Sequence, residues 1–489
     1  MSDDNFNGVP ELAHKGLLYP CTDTGNSQRF IDQNKNDIKF IRELKKWVRW
    51  DGTRWNLNEN EKLTRAKKTA QSIFAEARQC KNTQGQQELY KWAHASQSEG
   101  RLNSMLNLSK DELGESLHRF DTDPYAINCK NGLVNLKTGE LTPHNPDMLL
   151  MKRTRVKYNP SKRCHHWEKF VSEIFNHDTE MVDWIQRALG YSITGSVSEQ
   201  VFFILHGQGE NGKSKLINTI CDIVGDYGTI TPFDIFQSTG GSNLRGHVAI
   251  GDLKGIRFAV ASEAGNEKWD EKVVKTATGG DKLRGAKLYC DYFDFDPTHH
   301  LYFLTNRLPA FKDGSHGFKR RIRVVPFMVI FSGEKRDKNI ADRFDPEGVF
   351  SWLVEGALRY HEIGLDDTPA IMQEATEDYI MANDTLGVFI SDCLVRDIRS
   401  QIGASEMYDL YLQWCETSDI SPDNKNFFPQ NMEERGVARK RTNKGQVYTG
   451  YRIKLAEVTQ PPRPSLNDFR RDNPSAMSYG KWEKNGQRF

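Results

Sequence analysis

The sequence predicts a multidomain α/β protein: a central parallel sheet carrying a nucleotide-binding loop, preceded by an α+β domain and followed by a helical, winged-helix domain. Three observations carry this. From Val201 onward four apolar runs, VFFIL, RFAVA, LYFLT and RVVPF, alternate with loops and helical segments. Unbroken rather than alternating runs are what strands covered on both faces of a parallel sheet require. The first run leads directly into Gly207-x4-Gly212-Lys213-Ser214 and then into apolar positions Leu216, Ile217, Ile220, Ile223 and Val224 at helical spacing. Strand, glycine loop and helix in that order are the context of a phosphate-binding P-loop.

The flanks read differently. Asp37 to Phe120 is polar and mostly helical in pattern, interrupted by WVRWDGTRW, where Asp51-Gly52 signals a hairpin turn. In INCKNGLVNLKTGELTPHNP the turns Asn131-Gly132 and Thr138-Gly139 flank a short strand, Leu133–Leu136. After about Phe327 helical patterns return, and the region from Asn383 ends in a short β-wing. The expected domains are 1–195, 196–365 and 366–459, with 460–489 a Pro-, Asn- and Arg-rich flexible tail.

Composition sets limits. The 489 residues hold 67 Lys and Arg against 66 Asp and Glu, so nucleic-acid contact must come from local patches rather than a global basic field. Eight cysteines are scattered without a CxxC pair, which fits free thiols in a reducing cytosol. Cys164-His165-His166 is the one Cys/His cluster and a weak metal candidate. The N-terminus lacks a secretory signal, and no apolar run approaches the ~20 residues that span a bilayer. The expectation is an intracellular, cytoplasmic protein with no membrane partner.

The chemistry is expected along the core strands. Gly207, Gly209, Glu210, Asn211, Gly212, Lys213, Ser214 and Lys215 form the cradle for ATP. Backbone N–H groups and the helix N-terminus face the phosphates, Lys213 reaches the β- and γ-phosphates, and Ser214 ligates Mg2+. Glu263, at the tip of the strand Arg257–Ala261 and taken to lie beside the P-loop strand, is the candidate water-activating and metal-holding acid. Ser262 stands where Asp is usual, leaving metal coordination through water or Ser262 itself. Asn306, after the strand Leu301–Leu304, suits a γ-phosphate sensor. Lys319, Arg320, Arg321 and Arg323 cluster beyond it; Arg320 and Arg321 fit an arginine finger supplied to a neighbouring subunit. Between Glu263 and Asn306, Gly279, Gly280 and Gly285 punctuate a segment bearing Lys282, Arg284 and Lys287 with Tyr289. A loop that tracks a single strand and a solvated hairpin both remain open. Asp294 and Asp296 in YFDFDP look like a polymerase aspartate pair but lack a second acidic strand.

The order of these elements resembles superfamily 3 helicases, specifically the helicase part of the phage/plasmid and poxvirus helicase–primase family. ASEAGNEKWDEKVVKTATGGDKLRGAKLY, FLTNRLP and FKRRIRVVPF look like its acidic, sensor and arginine motifs; NCKNGLVNLKTGELTPHNPDMLL looks like its preceding domain. The resemblance spans roughly Gly25 to Cys393. It implies an AAA+-like ATPase that forms a homo-hexamer, encircles single-stranded or forked DNA and moves 3′ to 5′ during replication of a phage, plasmid or mobile element in a bacterial host. Fewer than 25 residues precede the helicase-associated region, so a primase domain is not expected and priming would fall to a separate primase or initiator. The alternative is an ATP-switched, origin-binding initiator acting through the winged helix.

Overall fold

A computed structural model describes residues 17–237, 244–262, 268–286, 292–311, 315–333, 337, 339–418, 420, 422, 424–443 and 445–454. The chain starts with helix α1 (Asp23–Asn34), capped by Thr22, whose hydroxyl accepts from Gly25 N at 3.1 Å. Strands β1 (Ile38–Ile41), β2 (Lys46–Trp50) and β3 (Trp55–Leu57) follow. The β2–β3 hairpin turns at Asp51, whose Oδ1 accepts from Thr53 N and Arg54 N at 2.8 and 2.9 Å, while Trp50 pairs with Trp55. Helices α2 (Glu59–Gln79), α3 (Thr83–Ala95) and α4 (Glu99–Ser109) and strand β4 (Gly114–Glu115) complete a four-stranded sheet of order β3-β2-β1-β4. Its core holds Phe30, Phe40, Trp47, Ala70 and Met105.

A three-stranded meander, β5 (Ala126–Cys129), β6 (Gly132–Asn135) and β7 (Leu141–Thr142), and helices α5 (His165–Ile174) and α6 (Thr179–Ser192) lead to the central sheet. There the chain order is β8 (Phe202–His206), α7 (Lys213–Val224), β9 (Gly228–Ile230), α8 (Leu244–Gly251), β10 (Phe258–Ser262) and α9 (Glu271–Thr278). Next come β11 (Leu283–Gly285), β12 (Phe293–Phe295), β13 (His300–Thr305), α10 (His316–Lys319) and β14 (Ile322–Pro326). The sheet order is β14-β8-β13-β10-β9, every pairing parallel. Alternate side chains enter opposite cores: Phe203, Leu205, Val260, Tyr302 and Val325 pack toward α6 and α7. Phe202, Ile204, Ala259, Phe303 and Val324 pack toward Phe233, Trp269 and Phe318. This two-sided burial is why the runs are unbroken.

Helix α11 (Pro346–Ile363) packs on α6, and α12 (Ala370–Ala382) covers the edge strand, Thr376 Oγ1 accepting from Val324 N at 3.0 Å. A last unit runs α13 (Thr385–Cys393), β15 (Leu394–Gly403), α14 (Ala404–Thr417), α15 (Phe428–Glu434), β16 (Arg439–Thr442) and β17 (Gly445–Ile453). Its sheet is β15-β17-β16 and its own core contains Phe389, Met407, Tyr411, Phe428 and Tyr448. No helix among the described residues is long and apolar enough to cross a membrane. The Cys164 cluster is structural: its sulfur accepts from Asp345 N at 3.2 Å, and His165 is exposed.

Candidate functional site

The glycine loop joins the carboxyl end of β8 to the amino end of α7. Gly212 stands at φ +88°, and a Cβ there would come within 2.6 Å of Ile174, so only glycine fits. The N-cap Gly212 of helix α7 has no side chain to cap it, and Lys213 N donates to Asn211 Oδ1 at 3.5 Å, which leaves the next first-turn N–H groups for an anion. At the exposed Gly209 an added Cβ would meet nothing, so the outer face of the loop is open. Asn211 is buried and its Nδ2 donates to Gln208 O, bracing the loop. Ser214 and Lys215 lie exposed on the first turn of α7, and exposed Glu210 accepts from Phe331 N at 2.8 Å through its carbonyl.

Lys213 is the buried member, 6% exposed. Its Nζ donates to Gly207 O at 2.6 Å, Gln208 O at 3.2 Å and Asn306 Oδ1 at 3.2 Å. Burial pushes its ammonium down to about 8. All three partners are uncharged oxygens, which a phosphate oxyanion outcompetes by charge. The donor set, an ammonium and free helix-end N–H groups around an open loop, therefore suits a polyphosphate. His206, the last residue of β8, sits beside Lys213; burial first, and then the lysine charge, lowers its imidazole to about 4, so it is neutral at neutral pH.

Parallel register aligns the strand ends, Thr305 opposite His206 and Leu304 opposite Ser262. Asn306 follows Thr305 and meets the loop lysine directly. One expectation is corrected: the strand ending at Ser262 does not lie beside β8, because β13 is inserted between β8 and β10. Asn306 thus stands on the immediate neighbour of the loop strand. Glu263 lies outside the described residues.

Arg320 and Arg321 are at the other end of the sheet. They precede β14, whose first residue pairs with the first residue of β8. Their Nη2 atoms donate to Gln200 Oε1, at 2.5 and 3.2 Å. Arg323 lies inside β14 and donates back to Arg320 O at 2.9 Å. The structure therefore brings Lys213 and Asn306 together and separates both from the arginine pair.

The segment with Lys282 and Arg284 forms a hairpin, β11 antiparallel to β12, with Arg284 opposite Asp294. Both basic residues are exposed, and the Arg284 guanidinium lies 5.3 Å from the Tyr292 ring centre. Lys287 and Tyr289 fall outside the described residues. The aspartates of YFDFDP thus belong to the return strand of this hairpin and its exit, and Asp294 offsets part of its positive charge. Sequence reading passes over Gln200, His206 and the fully buried Arg257, which donates to Ile193 O, Asp123 O and Ala126 O at 2.9, 3.0 and 2.6 Å. The one signal in reach is a polar residue at the edge of an apolar run.

Known proteins with similar sequences come from large DNA viruses. A candidate helicase of Acanthamoeba polyphaga mimivirus is 27% identical over 60% of this chain and 33% of its own length. A candidate helicase of Invertebrate iridescent virus 6 is 25% identical over 68% and 39%. A candidate primase of African swine fever virus is 22% identical over 62% and 34%. The chain thus spans about a third of the length of the curated relatives it matches. These relatives belong to viruses of eukaryotes, and they lend no support to the bacterial host expected from the sequence. An apo structure of the NrS-1 C terminal region aligns over 87% of this chain and 98% of its own, with 10% identity and a TM-score of 0.47. Residues 27–176 match the protein-family model described as D5 N terminal like.

Proposed function

We propose that this chain is an ATP-dependent DNA helicase motor of the superfamily 3 kind, with an AAA+-like core, acting in genome replication. The observation that carries the reading is the meeting of Lys213 and Asn306 at the carboxyl edge of the parallel sheet, where such sheets bind ligands. The loop N–H groups and Lys213 hold the triphosphate, and Asn306 orients the γ-phosphate or the attacking water. Ser214 and Glu263 would hold Mg2+, which supplies charge neutralisation between the phosphates. Glu263 takes the proton of the water. Transition-state charge is met by Arg320 or Arg321 of a neighbouring copy, because β8 alone separates those arginines from their own loop by roughly 15 Å. A ring of six copies around one DNA strand satisfies every site at once. The viral helicases among the relatives support a motor role in replication.

The test is ATP hydrolysis with and without single-stranded DNA, together with separation of a forked duplex with a 3′ loading tail. Hydrolysis stimulated by DNA, lost in Lys213→Ala, is expected; a rate indifferent to DNA sinks the motor reading. A second reading, an origin-binding initiator, is favoured by the last unit. Its helix–strand–helix–helix–strand–strand order suits a winged helix, and β16 exposes Arg439, Lys440 and Arg441 in a row. Tight duplex binding with little hydrolysis and no strand separation would select it.

A further inference from the structure

The arginine pair is held by something unusual. Gln200, immediately before Val201 and β8, adopts φ +51°. Left-handed backbone at a long-chain residue costs on the order of 1 kcal/mol and persists only where surrounding contacts over-determine it. Its N–H closes a turn onto Val197 O at 3.1 Å, and its side-chain oxygen accepts from both Arg320 and Arg321. The arginine backbone is fixed as well: Phe202 N donates to Arg321 O at 2.9 Å, tying the start of β14 to β8.

The chemistry of the acceptor matters more than its position. A carboxylate here would form a bidentate ion pair and compete with any incoming phosphate. An amide oxygen orients two guanidinium groups and leaves their charge intact. The neighbouring cation is treated differently: Lys319 Nζ lies 3.8 Å from the Asp384 carboxylate. Arg321 is oriented from a second side by another uncharged oxygen, its Nη1 donating to Gly317 O at 2.5 Å. Burial first, and then the adjacent Arg320 charge, holds the Arg321 guanidinium below its ordinary range, with the smaller effect of Asp281 acting against them.

We propose that Gln200 is a positioning residue that presents Arg320 and Arg321, oriented but not neutralised, to the triphosphate held by a second copy of this chain. This rests on the nucleotide-motor reading above and adds to it a residue outside the loop, acid, sensor and arginine set. Gln200 itself touches no nucleotide.

Mixed assemblies of full-length chains test it. One chain carries Lys213→Ala, with a dead loop and sound arginines; the other carries Arg320→Ala and Arg321→Ala, with a sound loop. Mixing them restores DNA-stimulated hydrolysis at interfaces where sound loop meets sound arginines. Adding Gln200→Ala to the Lys213→Ala chain should lower the restored kcat by about tenfold, with KM for ATP little changed. The same change on the chain already lacking both arginines should add no further loss. Gln200→Glu on the Lys213→Ala chain, equal in size and a stronger acceptor, should be at least as damaging. Equal effects of Gln200→Ala on either chain, no effect on either, or full activity of Gln200→Glu overturns the proposal. If the two parent chains never complement while the unmodified protein hydrolyses ATP, the arginines do not act between copies and the underlying reading fails first.

Discussion

Lys213 Nζ donates to Asn306 Oδ1 at 3.2 Å, linking the loop helix to the end of the adjacent strand. The lysine rests on this amide and on two carbonyls, the partners that a nucleotide phosphate would replace in the proposed complex. Removing the amide in Asn306→Ala should leave nucleotide affinity within a few-fold and lower kcat by about 100-fold, the scale for loss of one transition-state donor. Steady-state kinetics over a range of ATP concentrations separates the two parameters.

Burial sets the free-protein pKa of Lys213 at about 8. Phosphate binds the protonated form, so above that pH the free protein must take up a proton to bind. Nucleotide affinity should therefore be flat below pH 8 and fall by up to about tenfold per pH unit above it. Calorimetric titration with ADP across that range reads the slope, and buffers of different ionisation enthalpy reveal the proton uptake. Lys213→Arg should abolish both.

His299 and His300 are wholly buried, and desolvation holds them near 3 and 4, below the 6.5 of an exposed imidazole. Their folded pKa is depressed, so the unfolded chain binds more protons below 6.5. Stability is full above that pH and declines as pH falls toward 4, by up to about 1.4 kcal/mol per pH unit for each group. Melting temperatures from pH 7.5 to 4.5 should fall steeply, and His299→Leu should flatten the curve. An acid-insensitive melting point refutes this.

Arg257 offers its guanidinium to three carbonyls, two of them before β5 or within it, and stacks on Tyr227 at 4.8 Å. Arg257→Met strands those oxygens without a donor. It should cost about 3–5 kcal/mol and expose the β5–β6 meander to limited proteolysis before the central sheet unfolds.

If the β11–β12 hairpin grips DNA, Arg284→Ala and Lys282→Ala should each weaken single-strand affinity and reduce the salt dependence of binding by about one phosphate contact. Binding isotherms at several salt concentrations decide it. An unchanged slope assigns the hairpin to solvent, with Asp294 as its internal counter-charge.

How much of this is readable in the residues alone depends on whether the information is local. The core strands announce themselves because Phe202 and Phe203 are both buried, on opposite faces. The Asp51 and Gly212 turns are local too, set by side-chain acceptance and by backbone handedness. Strand order is not: the runs ending at Ser262 and Thr305 look alike, and nothing within either says which lies against β8. Gln200 and Arg257 escape for the same reason, since the side-chain partners of Gln200 are about 120 residues away, those of Arg257 between 64 and 134, and both residue types are common on any surface.

If the arginines serve a second copy's loop as proposed, their placement at the opposite end of the sheet from the loop constrains how copies can meet. Two copies related by a two-fold axis serve each other's loops only where loop and arginines share one self-complementary patch, and such an assembly is complete at two. Where loop and arginines lie on two different patches the contact is heterologous, head to tail, and either closes by rotation or extends as a helical filament. An assembly that fails to close carries one unserved loop at one end and one idle arginine pair at the other.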